Sequence, residues 1–219
     1  MELKGLKINF LGDSITEGVG ASSPEYNYVS MVGKIAELRE AKNYGIGGTR
    51  IARQSKIEEG NPFDLDFVMR AETMDDDADI VVIFGGTNDF GHGQAPLGEF
   101  GDRTVFTFYG ALHNLALLRI KKYVGKPRVF LTPVHRISED GSQAWKPEGV
   151  TQHPLCDYVK AIREVCEYYS IPVLDMYKDS GVHGNVAEYC EQYMPDGLHP
   201  NDKGYAQIAN KIVKFLENL

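Results

Sequence analysis

Five short apolar runs rich in β-branched residues punctuate the chain: Ile8 to Leu11, the stretch around Lys42 to Tyr44, Ile80 to Phe84, Val129 to Thr132 and Val173 to Asp175. Each is too short to be a helix, so they predict buried strands. Between them, apolar positions recur at helical spacing. Tyr109, Leu112, Ala116, Ile120 and Tyr123 share one face, as do Leu155, Tyr158, Val159, Ile162, Cys166 and Tyr169. Near the C-terminus, Tyr205, Ile208, Ala209, Ile212 and Leu216 predict a last helix, with Asn201 as its N-cap.

Strands alternating with helices imply an α/β fold with a parallel sheet, right-handed crossovers and helices on both faces. No internal repeat, linker or break in composition interrupts residues 1–219, which read as a single domain. The longest stretches without periodicity are Gly91 to Val105, His135 to Gln152 and Met176 to Pro195, and each follows a strand. Ligands in such sheets sit at the carboxyl ends of strands, so these loops are the expected walls of a site.

Composition narrows the picture further. Of 219 residues, 42% are hydrophobic and 25% charged, which is enough to bury a core and excludes disordered and fibrous classes. Twenty-three basic residues against 31 acidic ones leave a net charge of -8, and an acidic surface argues against nucleic acid as a partner. No segment approaches the ~20 apolar residues of a membrane span, and the N-terminus has no signal-like run, so the cytoplasm is the simplest address. Cys156, Cys166 and Cys190 form no C-x-x-C pair and read as small core residues, not as a disulfide framework or zinc site. The acidic run Asp75-Asp76-Asp77 lacks calcium-ligand spacing and reads as a solvated connection.

Candidate chemistry clusters at predicted strand ends. The first strand runs into Gly12-Asp13-Ser14-Ile15, presenting a serine hydroxyl at a strand-to-helix turn, although Asp13 and Ser14 could equally serve only as a helix cap. The second is followed by Asn43-Tyr44-Gly45-Ile46-Gly47-Gly48-Thr49, whose glycines leave amide N–H groups unshielded but lack the order of a nucleotide-phosphate loop. The third leads into Gly86-Thr87-Asn88-Asp89, with an amide side chain that can donate or can form an Asx turn. Ahead of the last helix stands Asp196-Gly197-Leu198-His199, in which a carboxylate three residues before an imidazole can fix its tautomer and leave the other nitrogen as a base. No H-E-x-x-H or Cys/His cluster accompanies it, so acid–base work ranks above metal ligation. Together these groups supply a nucleophile, amide donors for an oxyanion, and an oriented base.

These four blocks, in this order, resemble the SGNH or GDSL esterase/lipase superfamily of serine hydrolases, with Ile15 in place of the leucine of the family name. The resemblance implies a flavodoxin-like, three-layer α/β/α sandwich on a five-stranded parallel sheet. It implies Ser14 as nucleophile, His199 as base and Asp196 as its orienter. The oxyanion donors would be the Ser14 amide, Gly48 and Asn88, with Gly47 as the alternative glycine. No cofactor or metal is expected. The implied reaction is hydrolysis of a carboxylic ester through an acyl-serine, on a small-molecule or glycan ester substrate.

Polar and aromatic residues of the presumed rim, among them Arg103, His135, Arg136, Trp145, Gln152 and Tyr189, lean toward short acetyl esters on carbohydrate. Asp13, Asp89, His135 and Trp145 are further candidates for lining the substrate. The competing readings are a lipase or lysophospholipase with a large apolar groove, an acyltransferase of the same fold, and a non-catalytic carbohydrate-binding module. Labelling by a fluorophosphonate probe separates the last from the enzymes, and ester products formed from an added alcohol mark the transferase.

Overall fold

A computed structural model describes residues 1–58 and 60–219; the side chains of residues 118–121, including Ile120, lie outside the described set. Its elements are β1 (Lys7–Gly12), α1 (Ser14–Glu17), α2 (Tyr28–Ile35), β2 (Glu40–Gly45), α3 (Phe67–Glu72), β3 (Ile80–Phe84) and α4 (Thr87–Gly91). There follow α5 (Phe108–Lys122), β4 (Arg128–Leu131), α6 (Leu155–Tyr168), β5 (Val173–Leu174), α7 (Met176–Asp179), α8 (Ala187–Tyr193) and α9 (Asp202–Glu217).

The five strands form one parallel sheet in the order β2-β1-β3-β4-β5. Strand alternation divides the core between its faces. On β3, Ile80, Val82 and Phe84 pack with Ile8, Phe10, Tyr28, Tyr205, Ile208 and Ile212 beneath α2 and α9. Val81 and Ile83 face the other way, with Leu11, Phe67, Leu112, Tyr158 and Ile162 from α3, α5 and α6. The result is the three-layer α/β/α sandwich expected from the alternation of elements.

Several local expectations need correction. The β2 strand is the sheet edge and is only half-buried, because Lys42 and Asn43 serve polar neighbours and not a core. The Met176 to Pro195 stretch contains α7 and α8, and α8 buries none of its residues, so it carries no apolar stripe to read. Only Cys166 is a core cysteine: Cys156 is exposed and Cys190 half-buried, its thiol near the Gly184 carbonyl. The Asp75–Asp77 run is the solvated connection expected, and its acids also accept lysines, with Lys7 Nζ 2.8 Å from Asp75 and 2.7 Å from Asp77. No helix among the described residues is long and apolar enough to cross a membrane.

The order of strands fixes where a ligand can go. The chain leaves β1 for β2 on one side and then crosses from β2 to β3 on the other, and this reversal opens a crevice at the carboxyl ends of β1 and β3. Helix α1 grows from β1 there and α4 from β3.

Candidate active site

The β1 strand stops at Gly12 because α1 turns back sharply over the sheet edge. A Cβ at Gly12 would fall 1.8 Å from Thr16 Oγ1 and 2.9 Å from the Phe84 carbonyl, so no larger residue fits. Asp13 then caps α1 by accepting the Ile15 amide at 3.0 Å. Ser14 is the first residue of that helix, so its own N–H has no intrahelical acceptor. The serine is 8% exposed.

Across the crevice, the turn before α9 delivers the imidazole. Asp196 accepts the Leu198 amide at 2.8 Å and the His199 amide at 2.7 Å, and its second oxygen receives His199 Nδ1 at 2.7 Å. Burial alone would raise the Asp196 carboxyl, but these bonds outweigh it and hold the group below the ordinary carboxylate range. With Nδ1 donating to Asp196, Nε2 turns its lone pair toward the Ser14 hydroxyl, 3.0 Å away. Asn201 seats this turn on α9 by capping Lys203 and Gly204. Ser22 bonds Asp202 and the Tyr205 hydroxyl bonds the Val19 carbonyl, fastening the segment after α1 to the same helix.

The donor side is built from two loops. Asn88, buried on α4, spends one amide hydrogen on the Thr49 carbonyl at 3.0 Å and keeps the other. Gly47 gives its N–H to Glu17 Oε2 at 2.7 Å, whereas the Gly48 amide has no protein acceptor among the described residues. Gly48 also has φ of +72°, and a Cβ there would lie 2.9 Å from Phe63, so this position demands glycine twice over. Of the two candidate glycines, the geometry leaves Gly48 as the one with a free donor.

Two of the residues expected to line a substrate are buried and bonded to backbone. Asp13 is 2% exposed and engaged as a cap; burial, reinforced by Asp89, pushes its carboxyl up to about 7 against the pull of the Ile15 amide, Arg70 and Arg136. Asp89 is equally buried and accepts the Ile51 and Ala52 amides at 2.9 and 2.8 Å, strapping the chain after β2 onto α4. Trp145 donates its backbone N–H to the Gly91 carbonyl at the end of α4 and leaves its indole 60% exposed.

His135 stacks on His183 at 3.9 Å between ring centroids and bonds Glu139 through Nδ1 at 2.7 Å. His135, Glu139 and His183 bring ligand atoms within 4.8 Å of one another. Their imidazole planes are nearly parallel, at 7°, so the ring lone pairs run side by side instead of converging on one point. Glu139 is moreover committed to the Tyr177 hydroxyl and the Arg136 amide.

Sequence reasoning missed three contributors. Glu17 fixes Gly47, and the only hint was an acid one helical turn after the serine. Arg70 on α3 reaches the Gly12 carbonyl at 3.1 Å, Thr49 Oγ1 at 2.8 Å and the Tyr44 carbonyl, tying together the ends of β1 and β2. Burial draws its guanidinium down to about 10, and nothing in the local sequence marks it. Phe63 stands 55% exposed beside Gly48, an aromatic surface at the rim.

The order of strands and helices is that of the SGNH hydrolase fold. Residues 10–207 match the model of the GDSL-like lipase/acylhydrolase family, and the chain belongs to it. A Lactobacillus plantarum protein of solved structure shares 30% identity over 98% of each chain, with a TM-score of 0.82. A member of the lipolytic G-D-S-L family from Veillonella parvula shares the fold at 19% identity and a TM-score of 0.62, covering 97% of this chain and 99% of that one. A two-domain esterase active on acetylated mannans has the fold in one half: the match covers 98% of this chain and 49% of that one, at 24% identity and a TM-score of 0.63. No match was found among curated protein sequences.

Proposed function

We propose that this protein is a serine esterase that hydrolyses short-chain, acetyl-type carboxylic esters, with acetylated carbohydrate as the favoured substrate class. The observation that carries this reading is the unbroken hydrogen-bond chain Ser14 Oγ, His199 Nε2, His199 Nδ1, Asp196, closed across 185 residues of sequence beside three amide donors. A binding module has no use for such a relay.

In the proposed reaction Ser14 Oγ attacks the ester carbonyl while His199 Nε2 accepts its proton. Asp196 holds the ring in place and stabilises the imidazolium. The carbonyl oxygen, now an anion, is received by the Ser14 and Gly48 amides and Asn88 Nδ2. Collapse breaks the ester C–O bond, and His199 returns the proton to the departing alcohol. Water then attacks the acyl-serine, giving its proton to His199, and release of the acid restores the hydroxyl. The carbohydrate preference draws on the exposed aromatic rim of Trp145, Phe63 and Tyr189, ring surfaces of the kind that sugars stack on. The acetylmannan activity of the two-domain structural relative favours the same class.

A panel of nitrophenyl esters from acetyl to long-chain, run beside acetylated xylose and glucose, tests the proposal. A steep preference for acetyl is expected; a maximum at long chains would turn the reading to a lipase.

A further inference from the structure

Arg136 follows β4, in the loop at the carboxyl end of the sheet that is bonded to the turn carrying His199. Its Nη1 donates to the Thr87 carbonyl and Oγ1 at 3.2 and 3.3 Å, one residue before Asn88, and its guanidinium carbon stands 5.2 Å from the centroid of Phe90. Its Cα lies 2.8 Å from where a Cβ on Gly184 would be, and that same Cβ would meet the carbonyl of Gly197, two residues before the base. The neighbouring Ile137 amide bonds that carbonyl at 2.8 Å. Arg136 thus bridges the donor loop and the base loop.

Its charge has no partner of its own. Among the described residues no carboxylate oxygen comes within 4.0 Å of the guanidinium, as every nearby acid is engaged elsewhere: Asp13 with Ile15, Asp196 with His199, Glu139 with His135 and Tyr177. The buried Nε has no acceptor, and Nη2 makes no hydrogen bond to the protein. A half-buried arginine is ordinarily paired, because desolvating a charge without a counterion is costly. Here the Nη2 group is left over, a charged donor that can meet a carboxylate, while Nε is closed to solvent.

Resting on the esterase reading above, we infer that Arg136 receives a carboxylate on the alcohol portion of the substrate, so that the preferred substrates are O-acetyl esters of acidic sugars or hydroxy acids. The alcohol side follows from the chemistry: His199 protonates the leaving oxygen, and the Arg136 loop is bonded to the turn that carries His199.

The test compares acetate release from an acetylated methyl glucuronoside with release from the matching glucoside, which differ only in carboxylate against hydroxymethyl. The wild type is expected to favour the uronoside by about tenfold or more in kcat/KM, mainly through KM, the advantage shrinking with added salt. Arg136→Gln should bring the ratio near one, and Arg136→Lys should restore part of it. A ratio near one in the wild type, or a ratio unmoved in Arg136→Gln, overturns the inference, as does a preference for nitrophenyl hemisuccinate over valerate without one for the uronoside. If nitrophenyl acetate is not hydrolysed either, the esterase reading has failed by itself. Calorimetric titration with free methyl glucuronoside then still decides the carboxylate site: binding about tenfold weaker in Arg136→Gln supports it, and equal or absent binding refutes it.

Discussion

The two edges of the sheet carry polar clusters of opposite character. At the amino end, Lys7 and Lys42 converge on Asp75, with Asp77 and Glu40 completing the set. There every charge meets its opposite near water. At the carboxyl end, Ser14, Asn88 and Arg136 are each held by some bonds and left with donor capacity unspent, the Gly48 amide has no acceptor among the described residues, and the acids close by are tied up. Polarity alone therefore marks neither edge as functional. What distinguishes them is residual bonding capacity held rigid in one direction, which is what stabilising a transition state requires.

The sharpest way to break that contrast is Ser14→Ala, expected to lower kcat by about 10⁴-fold or more and to abolish fluorophosphonate labelling, with the fold unchanged by circular dichroism. Asn88→Ala should cost about 10²- to 10³-fold in kcat. It should also lower Tm modestly, because the Thr49 carbonyl loses its donor.

Asp13→Asn probes the buried side through pH. The Asp13 carboxyl is raised in the folded state to about 7, so its contribution to stability is complete below the ordinary carboxylate range and is lost as pH rises through that value. Between about pH 5 and pH 8 the wild-type Tm should therefore fall relative to that of the Asn variant, and parallel Tm curves would refute the raised carboxyl. The smallest effect belongs to the opposite edge. Asp75→Ala removes the central acceptor of half-buried ion pairs but leaves Lys7 its Asp77 and Glu40 partners, and kcat/KM should match the wild type while Tm falls modestly.

Much of this was legible beforehand, for physical reasons that differ by element. The β3 run Ile80 to Phe84 is buried on both faces and could be little else than a central strand, whereas the edge position of β2 diluted its signal with Lys42 and Asn43. Helices α1 and α4 span four and five residues, too few for a period to show, although the serine and asparagine they carry were found through the turns that precede them. The Asp196–His199 pair was readable because it is local. Glu17 and Arg70 were not, since each acts on backbone 26 to 58 residues away by sequence, a distance that only folding closes.

The relay of Ser14 and His199 also has a temporal side. The serine emerges early in synthesis, but its imidazole rides on the turn seated by α9, which docks through Tyr205 against Tyr28. A nascent chain with β1 and β3 already in place holds an inert alcohol. On the proposed reading, that alcohol gains its base only once α9 has docked.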